Sequence, residues 1–191
     1  MDQIEFVTNQ RFIEIMQGDE CIDVVYKPWF RRHLKALRKQ NEHLKARIDE
    51  IRKDASWNYA LLVLGKRSLF SAELEKKLLD RKGDISVLEK AKHYGYIDDE
   101  RELNDALERG FAKGKGPIRL VREICYRAKL PRAAVEEAAM RHMPFEHCIR
   151  RAKQLAKRYK LPEDRGRAYG FLARRGFSFD VIQEALRDIE N

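Results

Sequence analysis

Cysteine is scarce. The 191 residues hold three thiols, Cys21, Cys125 and Cys148, and no CxxC pair. So sparse and odd a set gives no basis for a disulfide framework and fits a reducing cytosol. Proline (5) and glycine (10) are also few, which argues against a disordered chain and against an all-β fold. The longest uninterrupted apolar run is YALLVL, residues 59–64, far short of a bilayer span. MDQIEFVTNQ at the N-terminus lacks the basic-then-apolar pattern of a secretory signal. A cytoplasmic protein with no membrane association is expected.

Charge, by contrast, is abundant. Forty Lys and Arg face 31 Asp and Glu, a net charge of +9. The excess grows along the chain: +1 over residues 1–56, zero over 57–100, +3 over 101–146 and +5 over 147–191. Such a gradient suits a polyanionic partner, either nucleic acid or an acidic protein, although a merely solubilising surface would have the same total.

Hydrophobic spacing predicts a mainly α-helical chain. The exception is RFIEIMQGDECIDVV, which reads as a β-hairpin turning at Gly18-Asp19. After Pro28 the residues Phe30, Leu34, Leu37, Asn41, Leu44, Ile48, Ile51 and Ala55 alternate steps of four and three. That is a heptad stripe on one long helix over 29–55. It serves either a coiled-coil dimer or packing on the chain's own hairpin or next domain. The second is favoured, so a monomer is expected.

From Trp57 the chain repeats. A shift of 47 residues carries Leu88-Glu-Lys-Ala91 onto Val135-Glu-Glu-Ala138 and then Ile182-Gln-Glu-Ala185. The same shift relates Leu74, Val121 and Ala168, and also Leu78, Cys125 and Leu172. A shift of 49 relates Leu103, Ala106 and Leu107 to Ala152, Leu155 and Ala156. Three units, 57–100, 101–146 and 147–191, are expected, each of three short amphipathic helices, with 1–56 as a separate N-terminal region. Units this small need neighbours to cover their apolar surface, so the expected architecture is an elongated, curved array. Ser71 is placed to cap the second helix of the first unit, Ser86 with Glu89 to form a capping box on its third, Pro131 to begin the third helix of the second unit, and Ser178 to cap the last.

No constellation for catalysis, metal or cofactor emerges. KGKGP, residues 113–117, has the lysines and glycines of a phosphate cradle. It lacks the GK[ST] ending and the preceding strand of a Walker A loop, and reads as a helix–helix joint with Pro117 at the first helical position. The carboxylates Asp98, Asp99, Glu100, Glu102 and Asp105 suit helix capping, with Asp99 and Glu102 as a capping box. His142, His147 and Cys148, broken by Pro144, have no zinc-ligand spacing, and His33, His43 and His93 lie elsewhere in the chain. The protein is read as a non-enzyme.

Basic faces are the better candidates. Arg119, Arg122, Tyr126 and Lys129 line the side of the unit-two second helix opposite Leu120, Val121, Ile124 and Cys125. Arg150, Lys153 and Lys157 share a stripe in unit three, joined by Arg165, Arg167, Arg174 and Arg175. Arginine and lysine pair with phosphates or carboxylates, and tyrosine stacks.

These segments resemble the RecX family, regulators of the RecA recombinase. GYIDDER, through Gly95, Tyr96, Ile97, Asp98, Asp99 and Arg101, is similar to the family's G-[L/Y]-[I/L]-D-D-x-R. KGKGPIRLVREI, through Gly114, Gly116, Pro117, Leu120, Glu123 and Ile124, is similar to G-x-G-P-x-x-I-x-x-E-L. RAYGFLARRGFSFDVIQEAL, with Arg174, Arg175, Gly176 and Phe177, resembles the last repeat, and SAELEKKLLDRKG the first. Where the family commonly places an aromatic after D-D-E-R, this chain has Glu102-Leu103. The resemblance covers about 57–191 and implies three three-helix repeats and a role in DNA repair and recombination. It also implies a modulator lying in the groove of the RecA filament on single-stranded DNA, blocking ATP hydrolysis, strand exchange and filament growth. Binding to single-stranded DNA alone would be weak. The contact residues, Arg119, Arg122, Tyr126, Lys129, Arg150, Lys153, Lys157, Arg167, Arg174 and Arg175, come from the stripes and not from the resemblance. The competing expectation is a helical-repeat protein that binds nucleic acid independently of RecA.

Overall fold

The computed structural model describes residues 4–38 and 43–190. They fall into two compact units, 1–98 and 99–191.

The first unit opens with a three-stranded antiparallel sheet in the order β1 (Ile4–Thr8), β2 (Phe12–Gln17), β3 (Glu20–Tyr26). The expected hairpin is β2–β3, turning at Gly18 with φ +60. A register shift between Ile15 and Met16 accounts for its imperfect alternation. Strand β1 is an addition to the expected elements. Its sequence, IEFVT, offers only Ile4 and Phe6 on the face that packs against the core, too few alternations to stand out as a strand.

The single helix expected over 29–55 is instead broken. The chain forms α1 (Lys27–Phe30), a turn at Arg31–His33, α2 (Leu34–Leu37) and then α3 (Leu44–Leu64). His43 enters α3 in the left-handed region, with φ 65. Asn41 lies outside the described residues. The stripe itself is nevertheless apolar core: Phe30, Leu37, Leu44, Ile48 and Ile51 are buried with Ile13, Ile15 and Val25 of the sheet. Packing on a sheet asks only that these side chains arrive on one side, which short, bent helices satisfy as well as one rod. Helix α3 then runs straight through the expected 56/57 boundary.

Its second half packs with α4 (Ser71–Leu79) and α5 (Val87–His93) around Ala60, Leu74, Leu78, Val87, Ala91 and Ile97. Ser56, fully buried, donates to the Arg52 carbonyl (2.6 Å) and accepts from the Asp84 amide (2.9 Å). It thereby ties α3 to the loop before α5. The expected Ser86–Glu89 box is not formed. Ser86 has helical dihedrals and makes no side-chain cap bond, while its amide donates to the Asp84 carboxylate at 2.8 Å. Glu89 pairs with Lys92 at 3.0 Å. An acceptor two residues earlier has taken over the turn. At α4, the Phe70 amide donates to Glu73 at 3.3 Å, so Phe70 precedes the helix and Ser71 is its first residue.

The second unit holds α6 (Asp99–Ala112), α7 (Pro117–Ala128), α8 (Arg132–His142), α9 (Phe145–Ala156), α10 (Arg165–Arg175) and α11 (Phe179–Glu190). Helices α6, α7 and α8 pack on one another, as do α9, α10 and α11. Pro131 sits one place earlier than expected, at the N-cap of α8, and the Ser178 hydroxyl accepts from Val181 N–H at 3.4 Å. Positions related by the shift of 47 share burial: Ala91, Ala138 and Ala185, and likewise Leu74, Val121 and Ala168, are all core. Small alanines at the third-helix positions let these short helices approach closely.

Candidate partner-binding faces and the joint beside them

Helix α5 ends in a Schellman motif. Gly95 is left-handed (φ +70), Tyr96 N–H donates to the Ala91 carbonyl and Gly95 N–H to that of Lys92, both at 2.9 Å. Ile97 turns into the core and Asp99 opens α6 with Glu100 and Glu102 in its first turn. Glu102 does not complete the expected capping box. It is 3% exposed and accepts from Arg109 at 2.9 Å, with Arg127 of α7 at 3.7 Å. A cap and a buried ion pair draw on the same residue type, and only the neighbouring helix decides between them.

KGKGP is a joint. Gly114, with φ +77, ends α6 in a second Schellman motif, with Lys115 N–H donating to the Gly110 carbonyl at 3.1 Å. The chain is then bonded to the end of α10: Gly116 N–H donates to the Arg175 carbonyl (2.7 Å) and Ile118 N–H to that of Gly176 (3.1 Å). Two glycines meet here. A Cβ on Gly116 would lie 2.4 Å from the Gly176 carbonyl carbon and oxygen, and a Cβ on Gly176 (φ +89) 2.4 Å from Cβ of Arg119. Two arginines complete the contact. Arg175 donates to the Lys113 carbonyl (3.0 Å) and lies over the Phe171 ring (5.0 Å), and Arg151 donates to the Ala112 carbonyl. Both place positive charge on the carbonyl end of α6, where the helix dipole favours it.

The predicted contact residues therefore divide. Arg175 is committed to the joint. Arg119 is half-buried and donates to Glu123 at 2.7 Å, and Lys115 bonds the same carboxylate. Burial pushes the Glu123 carboxyl up, but the hydrogen bonds from Lys115 and Arg119 outweigh it and hold the group below its ordinary value. Lys153 is half-buried on α9, and Arg167, though exposed, bonds Asp164 at 3.1 Å. Arg122 and Tyr126 (84% exposed) on α7, Lys129 at its C-cap, Arg150 on α9, Lys157 at its C-cap and Arg174 on α10 are all exposed. Sequence reasoning missed Arg151 and Lys115. Each has its partner set by chain folding, and no local spacing marks them.

The second unit also exposes apolar surface. Ile118, Met140 and Phe145, with Val121, Met143 and Val181, line a cleft of about 370 Å³ between α7, α8, α9 and α11.

Among the described residues no group of three His, Cys, Asp or Glu side chains is placed to hold a metal. His142 instead contacts Asn104 Oδ1 at 3.0 Å. Cys148 is buried, its thiol directed at the Met143 carbonyl (3.4 Å), and burial pushes its pKa up to about 11. At pH 8 its thiolate fraction is on the order of one in a thousand. Ellman's reagent is thus expected to label exposed Cys21 at once and Cys148 only on unfolding. Immediate labelling of all three thiols in the folded protein would contradict the packing of α9. No described helix is long and apolar enough to cross a membrane.

Comparison with known proteins is consistent with this architecture. The family profile of the RecX third three-helix domain matches residues 145–186, from the start of α9 into α11. The regulatory protein RecX of Deinococcus radiodurans is 31% identical over 178 residues, covering 88% of this chain and 85% of that protein. Its Thermus thermophilus counterpart is 33% identical over 132 residues, covering 68% and 88%. The crystal structure of RecX from Lactobacillus salivarius superposes with a TM-score of 0.62 at 19% identity, over 72% of this chain and 96% of that one. A second crystal structure of a regulatory protein RecX gives 0.62 at 16% identity over 98% of both. With the fold shared throughout and sequence identity above 30% across most of both chains, this protein belongs to the RecX family.

Proposed function

We propose that this chain is a non-enzymatic regulator that binds the RecA filament on single-stranded DNA, lying in its groove and inhibiting ATP hydrolysis, strand exchange and filament growth. The observation that carries the reading is a pairing of two surfaces in one unit. Arg122, Lys129, Arg150, Lys157 and Arg174 offer cations, and Ile118, Met140 and Phe145 offer an apolar cleft beside helices of the same unit. A DNA filament coated with protein presents both anionic and aliphatic surface; bare single-stranded DNA presents phosphates and flat bases, and no aliphatic side chains to fill a cleft lined by Ile118 and Met140. Repeats at 57–100, 101–146 and 147–191 would each contribute weak contacts that add through multivalency. The site of action is the cytoplasm, and no cofactor is needed.

Titration of the protein into RecA, single-stranded DNA and ATP is expected to lower ATP turnover at stoichiometric ratios. Unchanged turnover at saturating protein would sink the reading. The basic side chains also favour a second one, direct nucleic-acid binding independent of RecA. That reading requires tight binding to free DNA with a steep salt dependence in the absence of RecA.

A further inference from the structure

In the first unit, three aromatic rings meet at the surface. Trp57 of α3 packs with Tyr94 (centroids 6.1 Å apart) and Tyr96 (6.1 Å), and the two tyrosines with each other (6.4 Å). His93 sits edge-on to Tyr94 at 5.4 Å. Trp57 is half-buried against the core of α3, α4 and α5, but Tyr94 is 60% exposed and Tyr96 51%. Core packing accounts for the tryptophan and leaves the tyrosines unexplained. Their backbone is fixed by the Schellman motif that ends α5, where they flank left-handed Gly95.

Charges of both signs stand near the rings, exposed Asp54 three residues before Trp57 on α3 among them, and a cation makes the ring contact. Lys90 Nζ lies 4.2 Å from the Trp57 ring. Lys53, one turn before Trp57 on α3, is exposed, as is His93. Lys92 pairs with Glu89, and Asp98 follows two residues after Tyr96. Polar-edged π faces fringed by lysine suit flat bases joined by phosphates: the rings accept bases and the ammonium groups meet the backbone. An aliphatic protein helix would want aliphatic walls in place of tyrosine hydroxyls.

We propose that Trp57, Tyr94 and Tyr96, with Lys90, form a stacking platform for the bases of single-stranded nucleic acid within the first unit. The proposal rests on the reading that this chain acts at single-stranded DNA, and it supplies a base-contacting site which that reading lacks.

The test compares a labelled thymidine oligonucleotide with an abasic oligonucleotide of equal length, using the full chain without RecA. The parent protein is expected to bind the base-bearing strand about tenfold or more tightly. Tyr94→Ala with Tyr96→Ala should erase that preference while leaving the salt dependence, which reports phosphate contacts. Tyr94→Phe with Tyr96→Phe should retain it, and circular dichroism should show all variants folded. Equal binding of the two strands by the parent, failure to bind either, or a preference that survives the alanine pair overturns the platform. RecA ATPase inhibition by the same proteins separates the two ideas. Inhibition without base preference leaves the RecA reading standing and removes the platform. Base preference without inhibition does the reverse. Loss of inhibition in the alanine pair with unchanged oligonucleotide preference means that the rings face protein, and likewise overturns the platform.

Discussion

Gly176→Ala is expected to destabilise the second unit by about 2–4 kcal/mol and to lower its melting temperature on the order of 10–20 °C. Two penalties coincide at this position. The residue is left-handed, φ +89, which costs alanine about 1 kcal/mol. The new methyl would also lie 2.4 Å from Cβ and 2.6 Å from the amide nitrogen of Arg119, and neither is the free end of a side chain that can swing away. Overpacking of this kind costs about 1–3 kcal/mol. Two further variants separate the causes. Gly95 has φ +70, and a Cβ there would meet nothing within 4 Å, so Gly95→Ala isolates the backbone penalty. Gly116 has φ −82 and suits alanine, but its methyl would meet the Gly176 carbonyl at 2.4 Å, so Gly116→Ala isolates the collision. Thermal melts of the three should place Gly176→Ala lowest. If it melts with Gly95→Ala, the approach of Gly176 to Arg119 is not tight.

Reversing Arg122, Lys129, Arg150 and Lys157 together to glutamate is expected to raise the concentration needed for half-inhibition of RecA by more than tenfold, with helicity unchanged. The four are exposed, so their removal leaves the core intact. Weak contacts that act together lose affinity together, and about 1.4 kcal/mol in total is enough for a tenfold change. Arg119 and Arg175 are poor choices for this experiment despite lying on the same stripes. Reversal of Arg119 would put like charge against Glu123, and reversal of Arg175 would withdraw the donor to the Lys113 carbonyl. Either would confuse binding with folding. Inhibition unaltered by the fourfold reversal would move the contact surface off α7 and α9.

Burial was far more legible in the sequence than geometry. The stripe named Phe30, Leu37, Leu44, Ile48 and Ile51 as core correctly because periodicity reports which side chains share a side, yet it is blind to breaks at Arg31–His33, where the chain bends without losing that side. The shift of 47 found Ala91, Ala138 and Ala185 for the same reason. Caps fared worse. Ser86 and Glu89 fit a capping box, and Asp84, two residues earlier, forms the turn; local motifs compete, and the sequence does not rank them. Glu102 fits a cap and is a buried partner of Arg109. The candidate contact residues were legible as charge, but Arg119 and Arg175 could be recognised as structural only once Gly116 was seen against Gly176, 60 residues along. Strand β1 was missed because two inward side chains are too short a pattern.

The bonds from Gly116 and Ile118 to the end of α10 also bear on how this protein can be dissected. Repeat similarity suggests a cut at 146/147. The surface that receives the last repeat, however, is the loop at 113–118, and it belongs to the preceding segment. A fragment beginning at residue 147 would keep the Arg175 and Gly176 carbonyls while losing the amides that fill them, and Arg151 would lose the Ala112 carbonyl as well. The smallest transferable piece is therefore a pair: whoever grafts the last three helices onto another protein must carry the glycine loop with them.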